Sequence, residues 1–200
     1  MSVGDIDGDG MTDLAIALMF GNTVSVLRNT ATVPVTGPAL VVSRGAQGVW
    51  AHDRLNNDWK QLLSAPATHM AVAPNGNVIA VFPGYGTYYY RSSTATWTRL
   101  HTSAANAVAI ERLGNAYAYF TGYGTYAYAP TGLSLATPAN GWVLLPGTNA
   151  QADRLVASAN GDVVANFVYA GVWRYRPTVG WTLLNGVPAA ALWSSATTGR

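Results

Sequence analysis

Residues 152–184 read ADRLVASANGDVVANFVYAGVWRYRPTVGWTLL. Four short runs, 154–157, 163–167, 172–176 and 181–184, are rich in β-branched and aromatic residues. Asn160 with Gly161, Ala170 with Gly171, and Pro177 to Gly180 separate them, and all three separators are turn chemistry. The stretch therefore reads as four strands joined by tight turns.

Working outward, the parts of this stretch recur. GVW at 171–173 is preceded by GTY at 124–126, GTY at 86–88 and GVW at 48–50. WTLL at 181–184 is preceded by WVLL at 142–145, WTRL at 97–100 and WKQL at 59–62. Asn160 with Gly161 is preceded by Leu113 with Gly114 and by Asn75 with Gly76. The intervals fall near about 40 residues, and four strands per period of that length mark a β-propeller blade. The expected fold is all-β: a propeller, or part of one, of four to five antiparallel blades. A β-sandwich of stacked hairpins is the alternative, and a fixed aromatic period argues against it.

Composition agrees. Of 200 residues half are hydrophobic and only 10% are charged, with 21 glycines, so long amphipathic helices are disfavoured and strands with tight turns favoured. The net charge is +2 and no Lys/Arg cluster exists, which leaves no electrostatic footprint for nucleic acid. There is no cysteine, hence no disulfide framework and no thiolate chemistry. The longest apolar run, 14–20, is too short to span a membrane as a helix, so no membrane insertion is expected. No secretory signal precedes Ser2, and the sequence enters a motif at once; it reads as part of a longer chain.

That first motif is GDIDGDGMTD at 4–13. Asp5, Asp7, Asp9 and Asp13 alternate with small residues, so a tight loop can aim several carboxylates at one point. A hard cation such as Ca²⁺ takes six to eight oxygens in flexible geometry. The glycines allow the turns that wrap backbone round an ion. The carbonyl of Met11 and the side chain of Asp13 would complete the shell. Without a cation, four of the nine acidic residues would repel one another within nine positions. No Glu stands at the twelfth position of the loop, so it is not an EF-hand.

The longer run GDIDGDGMTDLAIALMFGNTVSVLRNT, at 4–30, resembles an FG-GAP/VCBS repeat, the calcium-loop blade also found in integrin α-subunit propellers, and the likeness is strong over 3–29. DLAIA at 13–17 and VSVL at 24–27 match the two strands that follow the loop in that family. The resemblance implies a blade with structural calcium between two strands. VAPNGNVIAVF (72–82), IERLGNAYAYF (110–120) and ASANGDVVANF (157–167) look like degenerate copies with shortened loops, and the calcium expectation stops at Asp13. Asp162 alone reads as a turn residue. The implied organisation is an intact unit at 3–29, a short irregular unit at 30–63, and degenerate units at 64–100, 101–145 and 146–184. Residues 185–200 begin a further unit or close a ring. If the ring closes, 189–193 would pair beside 14–18; the short second unit favours an open arc instead.

The aromatic residues form columns. Trp50, Tyr88, Tyr126 and Trp173 make one, and Trp59, Trp97, Trp142 and Trp181 another. Rings repeated in every unit read as packing between neighbouring blades. Candidates for stacking on a sugar are turn residues: Tyr85 and Tyr123 in GYGT, and Tyr169 near the equivalent place. WTLL and GVWRY also resemble tectonin-type lectin repeats. His52, His69 and His101 show no metal spacing and read as structural or surface residues. No carboxylate pair, nucleophile elbow, phosphate loop or cysteine nucleophile stands out. The expected function is a non-catalytic, calcium-stabilised module, secreted or on the cell surface. It would serve adhesion or act as an accessory domain, with an extracellular protein or glycan as partner. A lectin-like glycan binder is the alternative; a catalytic propeller is the third.

Overall fold

A computed structural model describes residues 2–4, 13–18, 23–27, 40–53, 56–112, 114–129, 141–146, 150–158, 162–176, 179–190 and 192. These residues form eighteen strands and one 3-10 turn, Gly45–Gln47. Every strand pairing is antiparallel, and each sheet is a meander in chain order apart from direction. Among the described residues no helix is long and apolar enough to cross a membrane. Two compact units emerge, one holding the first three strands and one spanning Val35–Ser194.

In the first unit, β1 (Ser2–Gly4), β2 (Asp13–Leu18) and β3 (Thr23–Leu27) form one sheet. Ser2 pairs with Ala15, and Leu14 pairs with Leu27. β2 thus has a neighbour on both edges. β1 supplies the strand before the loop with three residues, covering β2 over Asp13–Ala15; of the run 189–193 expected to close a ring, 191 and 193 lie outside the described residues.

The second unit holds four sheets. The first is β4 (Leu40–Ser43), β5 (Val49–Asp53) and β6 (Asp58–Leu63). The next is β7 (His69–Val72), β8 (Val78–Phe82), β9 (Gly86–Arg91) and β10 (Thr96–His101). Then come β11 (Ala107–Ile110), β12 (Ala116–Phe120), β13 (Gly124–Tyr128) and β14 (Trp142–Leu144). The last is β15 (Ala152–Ala157), β16 (Val163–Phe167), β17 (Gly171–Arg176) and β18 (Gly180–Asn185). The entry strands β7, β11 and β15 pack against one another in succession. Four-stranded meanders stacked face to face with their first strands adjacent are β-propeller blades.

The packing explains the sequence pattern. β8 reads VIAVF without alternation because both of its faces are covered. Val78, Ala80 and Phe82 pack with Val41, Val49 and Ala51 of the preceding blade. Ile79 and Val81 pack with Ala116, Ala118 and Phe120 of the following one. β12 repeats this, sending Tyr117 and Tyr119 to Leu155, Val163 and Ala165. The cores lie between blades, so each blade is stable only through its neighbours.

Two repeated motifs acquire physical reasons. In Trp-x-x-Leu the Leu is an extra residue. Thr87 pairs with His101 and Tyr88 with Arg99, which leaves Leu100 bulged; Leu62 and Leu184 are bulged alike. The bulge turns its carbonyl toward the next blade. Trp97 Nε1 donates to the Leu62 carbonyl at 3.1 Å, and Trp142 Nε1 to that of Leu100 at 2.9 Å. The Trp of one blade thus hooks onto the Leu of the blade before it. The Gly that opens each third strand faces the same bulge. At Gly86 φ is +113°, and a Cβ there would lie 2.1 Å from the His101 carbonyl oxygen.

The connectors between blades are held by a further repeated bond. The Ala67 amide donates to Ser43 Oγ, that of Ala105 to Thr87 Oγ1, and that of Ala189 to Asn166 Oδ1. Ala189 is therefore anchored to its own preceding blade.

Candidate functional site

Where the exit of β10 meets the second and third strands of the following blade, five rings border a cleft of about 140 Å³. They are His101, Phe120, Tyr123, Tyr126 and Trp142. The placement follows from the fold. Phe120 ends the doubly covered strand β12, Tyr126 lies on β13, Trp142 opens β14 and hooks onto the bulge, and His101 is the residue after that bulge. Tyr123 stands in the turn between β12 and β13, where its amide donates to the Phe120 carbonyl at 3.0 Å. It is 66% exposed, so it forms the outer lip.

The floor is rigid. Phe120 meets Tyr126 at 5.9 Å and Trp142 at 5.9 Å, both edge to face, and His101 at 4.6 Å. Edge-to-face pairs place the positive ring edge on a negative face. The Ser103 amide donates to His101 Nδ1 at 2.9 Å. The neutral ring then carries its proton on Nε2, leaving a donor beside the aromatic floor. A volume of this size admits one six-membered ring, since an apolar cavity of about 150 Å³ takes benzene. Chemically, the cleft offers an apolar stacking surface with one nitrogen donor and one phenolic hydroxyl at its rim.

The same arrangement stands one blade earlier. Phe82 meets Tyr88 at 5.5 Å and Trp97 at 5.4 Å, again edge to face. Tyr85 occupies the turn, with its amide on the Phe82 carbonyl at 3.0 Å, and is 63% exposed. Leu63 holds the place of His101 there. The last blade is built from Phe167, Trp173 and Trp181, with Phe167 and Trp181 at 5.3 Å.

The turn tyrosines do not all coincide. Tyr85 and Tyr123 take equivalent positions, but Tyr169 does not. In its turn the Ala170 amide makes the bond to the Phe167 carbonyl, at 3.1 Å, so Ala170 is the counterpart of Tyr123. Tyr169 stands one residue earlier and is 93% exposed. Sequence reasoning missed Phe120, Tyr126, Trp142 and His101 as site residues. The rings were legible as columns, but a column that packs blades also lines the cleft between them.

Of the loop residues expected to bind calcium, Asp5, Asp7, Asp9 and Met11 lie outside the described residues, and Asp13 opens β2. Among the described residues no group of three His, Cys, Asp or Glu is placed to hold a metal. In the second unit the turn between first and second strands is short: the Ala73, Glu111 and Ser158 amides donate across it to the Asn77, Asn115 and Asp162 carbonyls. The acids here have structural partners. Glu111, 3% exposed, accepts from the Asn115 amide at 2.8 Å and side chain at 2.5 Å. Asp162 accepts from Arg176 at 3.2 Å, and Asp153 from Asn166 at 2.8 Å. Burial pushes the Tyr89 hydroxyl far above its ordinary range despite the opposing charge of Arg91, and Tyr89 donates to the Gly114 carbonyl at 2.8 Å. Burial, reinforced by the charge of Glu111, does the same to Tyr117.

No protein-family model matches the sequence, and no curated protein matches it. Solved structures do resemble the fold. The structure of U3-55K aligns with a TM-score of 0.50 at 10% identity over 71% of this chain and 46% of that one. A protein provisionally named a gluconolactonase aligns at 0.47, with 14% identity over 80% of this chain and 66% of that one. YCF48 from Cyanidioschyzon merolae aligns at 0.46, with 14% identity over 82% and 60%. The chain thus spans about half to two thirds of these structures. At such identities the likeness is one of fold, the β-propeller, and not of activity.

Proposed function

We propose that the chain is a carbohydrate-binding propeller module and that the cleft of His101, Phe120, Tyr123, Tyr126 and Trp142 is a sugar site. The observation that carries this reading is the exposed Tyr123 standing at the lip of a rigid aromatic floor that also bears a nitrogen donor. One face of a pyranose presents mainly C–H groups and suits such a floor, while its hydroxyls need donors and acceptors at the rim. Repetition of the floor around Phe82 favours several weak sites acting together, which raises avidity without new contacts. Such a module serves adhesion or directs a larger secreted protein to a glycan. Calcium on the loop of Asp5, Asp7, Asp9, Met11 and Asp13 belongs to the same reading as a stabiliser of the first unit.

The test is a glycan array followed by calorimetry with the best ligand. Tyr123→Ala should weaken binding about tenfold or more, as loss of a stacking ring does, and leave the melting temperature unchanged because Tyr123 is exposed. Binding that is indifferent to Tyr123→Ala rejects the cleft.

A further inference from the structure

We infer that the blade of β4–β6 carries a second, chemically different site, in which Arg44 recognises the carboxylate of an acidic sugar. The inference rests on the sugar-site reading for the word sugar, and on Arg44 alone for the charge.

Register makes the equivalence. Ser43 pairs with Val49 as Val81 pairs with Thr87, and the Arg44 amide donates to the Gly48 carbonyl where Phe82 pairs with Gly86. Arg44 therefore stands where the later blades have Phe82 and Phe120. Trp50 and Trp59 stand where they have Tyr88 and Trp97. The guanidinium lies over both indoles, 4.2 Å from the ring centre of Trp59 and 5.2 Å from that of Trp50. Its charge does what the positive edge of Phe does in the later blades, and more strongly.

The substitution leaves something over. A phenyl edge is spent once it is packed. A guanidinium carries five N–H donors in one planar fork, and such a fork matches a carboxylate two bonds at a time. Arg44 is exposed and has no ion pair among the described residues. The platform beneath it is fixed independently. Trp50 Nε1 and Gln61 Nε2 both donate to the Gln47 carbonyl at 2.8 Å, and His52 packs on Trp59 at 5.0 Å. A pre-positioned cation with no ion pair among the described residues, beside two indole rings, fits a pyranose that bears a carboxylate.

The probes are sodium D-glucuronate and D-glucose, which differ in the carboxylate at C6, with sodium acetate as the bare anion. Binding is followed by calorimetry and tryptophan fluorescence. Glucuronate should bind the parent about tenfold tighter than glucose does, and acetate should bind far more weakly than glucuronate. Arg44→Gln should erase the glucuronate advantage and leave glucose binding intact. Arg44→Lys, which keeps the charge and loses the fork, should fall between them and guard against a folding artefact. Tyr123→Ala should weaken glucose binding and spare the Arg44-dependent glucuronate binding. Glucuronate binding that survives Arg44→Gln, or acetate binding equal to it, overturns the inference. No glucose binding, with glucuronate still lost in Arg44→Gln, would instead reject the Tyr123 cleft and keep an anionic site at Arg44.

Discussion

Phe82 and Arg44 occupy one position of one fold, on consecutive blades, and they differ as much as two side chains can. Around them the two blades agree. Both have a positive-φ glycine at the start of the next-to-last strand, a bulged leucine in the last and a tryptophan three residues before it. The difference teaches that these repeats carry two sets of residues with separate duties. Gly, Trp and Leu fix the backbone and the joint between blades, and tolerate little change. The residue that ends the strand before that glycine lies against the indole rings, and it can change from ring to cation because either satisfies the indole faces beside it.

The glycines test the first half of that statement and should give the largest effect. A Cβ at Gly86 would lie 2.1 Å from the His101 carbonyl oxygen, and one at Gly48 lies 2.1 Å from that of Leu63. Both sites also have φ in the left-handed region. Gly86→Ala and Gly48→Ala should each cost about 3 kcal/mol or more in urea unfolding. Gly84→Ala, with positive φ but open space around it, should cost only about 1 kcal/mol. If Gly48→Ala proves as mild as Gly84→Ala, the two blades do not share the bulge and the comparison of Arg44 with Phe82 fails.

A contrast of similar kind separates the two units. The first has a long acidic loop between β1 and β2, whereas the second closes the same junction with short turns tied by backbone bonds. If calcium holds the long loop, a hundredfold excess over its dissociation constant stabilises by about 2.7 kcal/mol. Chelation should then lower the melting temperature, and Asp7→Ala should abolish that sensitivity. Superimposable melts with and without chelator would remove calcium from the account.

Much of this was legible in the sequence, for a physical reason. Strands covered on both faces leave uninterrupted apolar runs, and a glycine forced to positive φ against a neighbouring backbone recurs wherever that neighbour does. The cleft was harder to read. Trp142 is 4% exposed and belongs to the core, yet its ring also lines the cleft; burial and binding use the same column. Tyr169 misled because composition puts a tyrosine in the turn, while hydrogen bonding gives the equivalent position to Ala170. His101 needs the bulge to reach the cleft, and no spacing rule reveals a bulge. Arg44 did leave a signal: it lies one period of about 38 residues before Phe82, in a column otherwise filled by phenylalanine.

The smallest expected effect tests the hook between blades. Trp97 and Trp181 are both half-buried and open the same motif, but only Trp97 is hooked. Its Nε1 donates to the Leu62 carbonyl at 3.1 Å, whereas Trp181 Nε1 is buried with no hydrogen-bond partner among the described residues. Replacing either ring by phenylalanine removes similar apolar area. Trp97→Phe also leaves the bulge carbonyl of Leu62 without its donor, while Trp181→Phe removes an unsatisfied polar group. Losing one partner of a buried hydrogen bond costs about 1–3 kcal/mol, and relieving an orphaned group offsets part of the lost packing. Trp97→Phe should therefore be the more destabilising by roughly 1 kcal/mol in urea unfolding. Equal losses would mean that the bond adds nothing to ring packing. Trp-x-x-Leu would then owe its recurrence to apolar contact between blades, and the bulge carbonyl would be incidental.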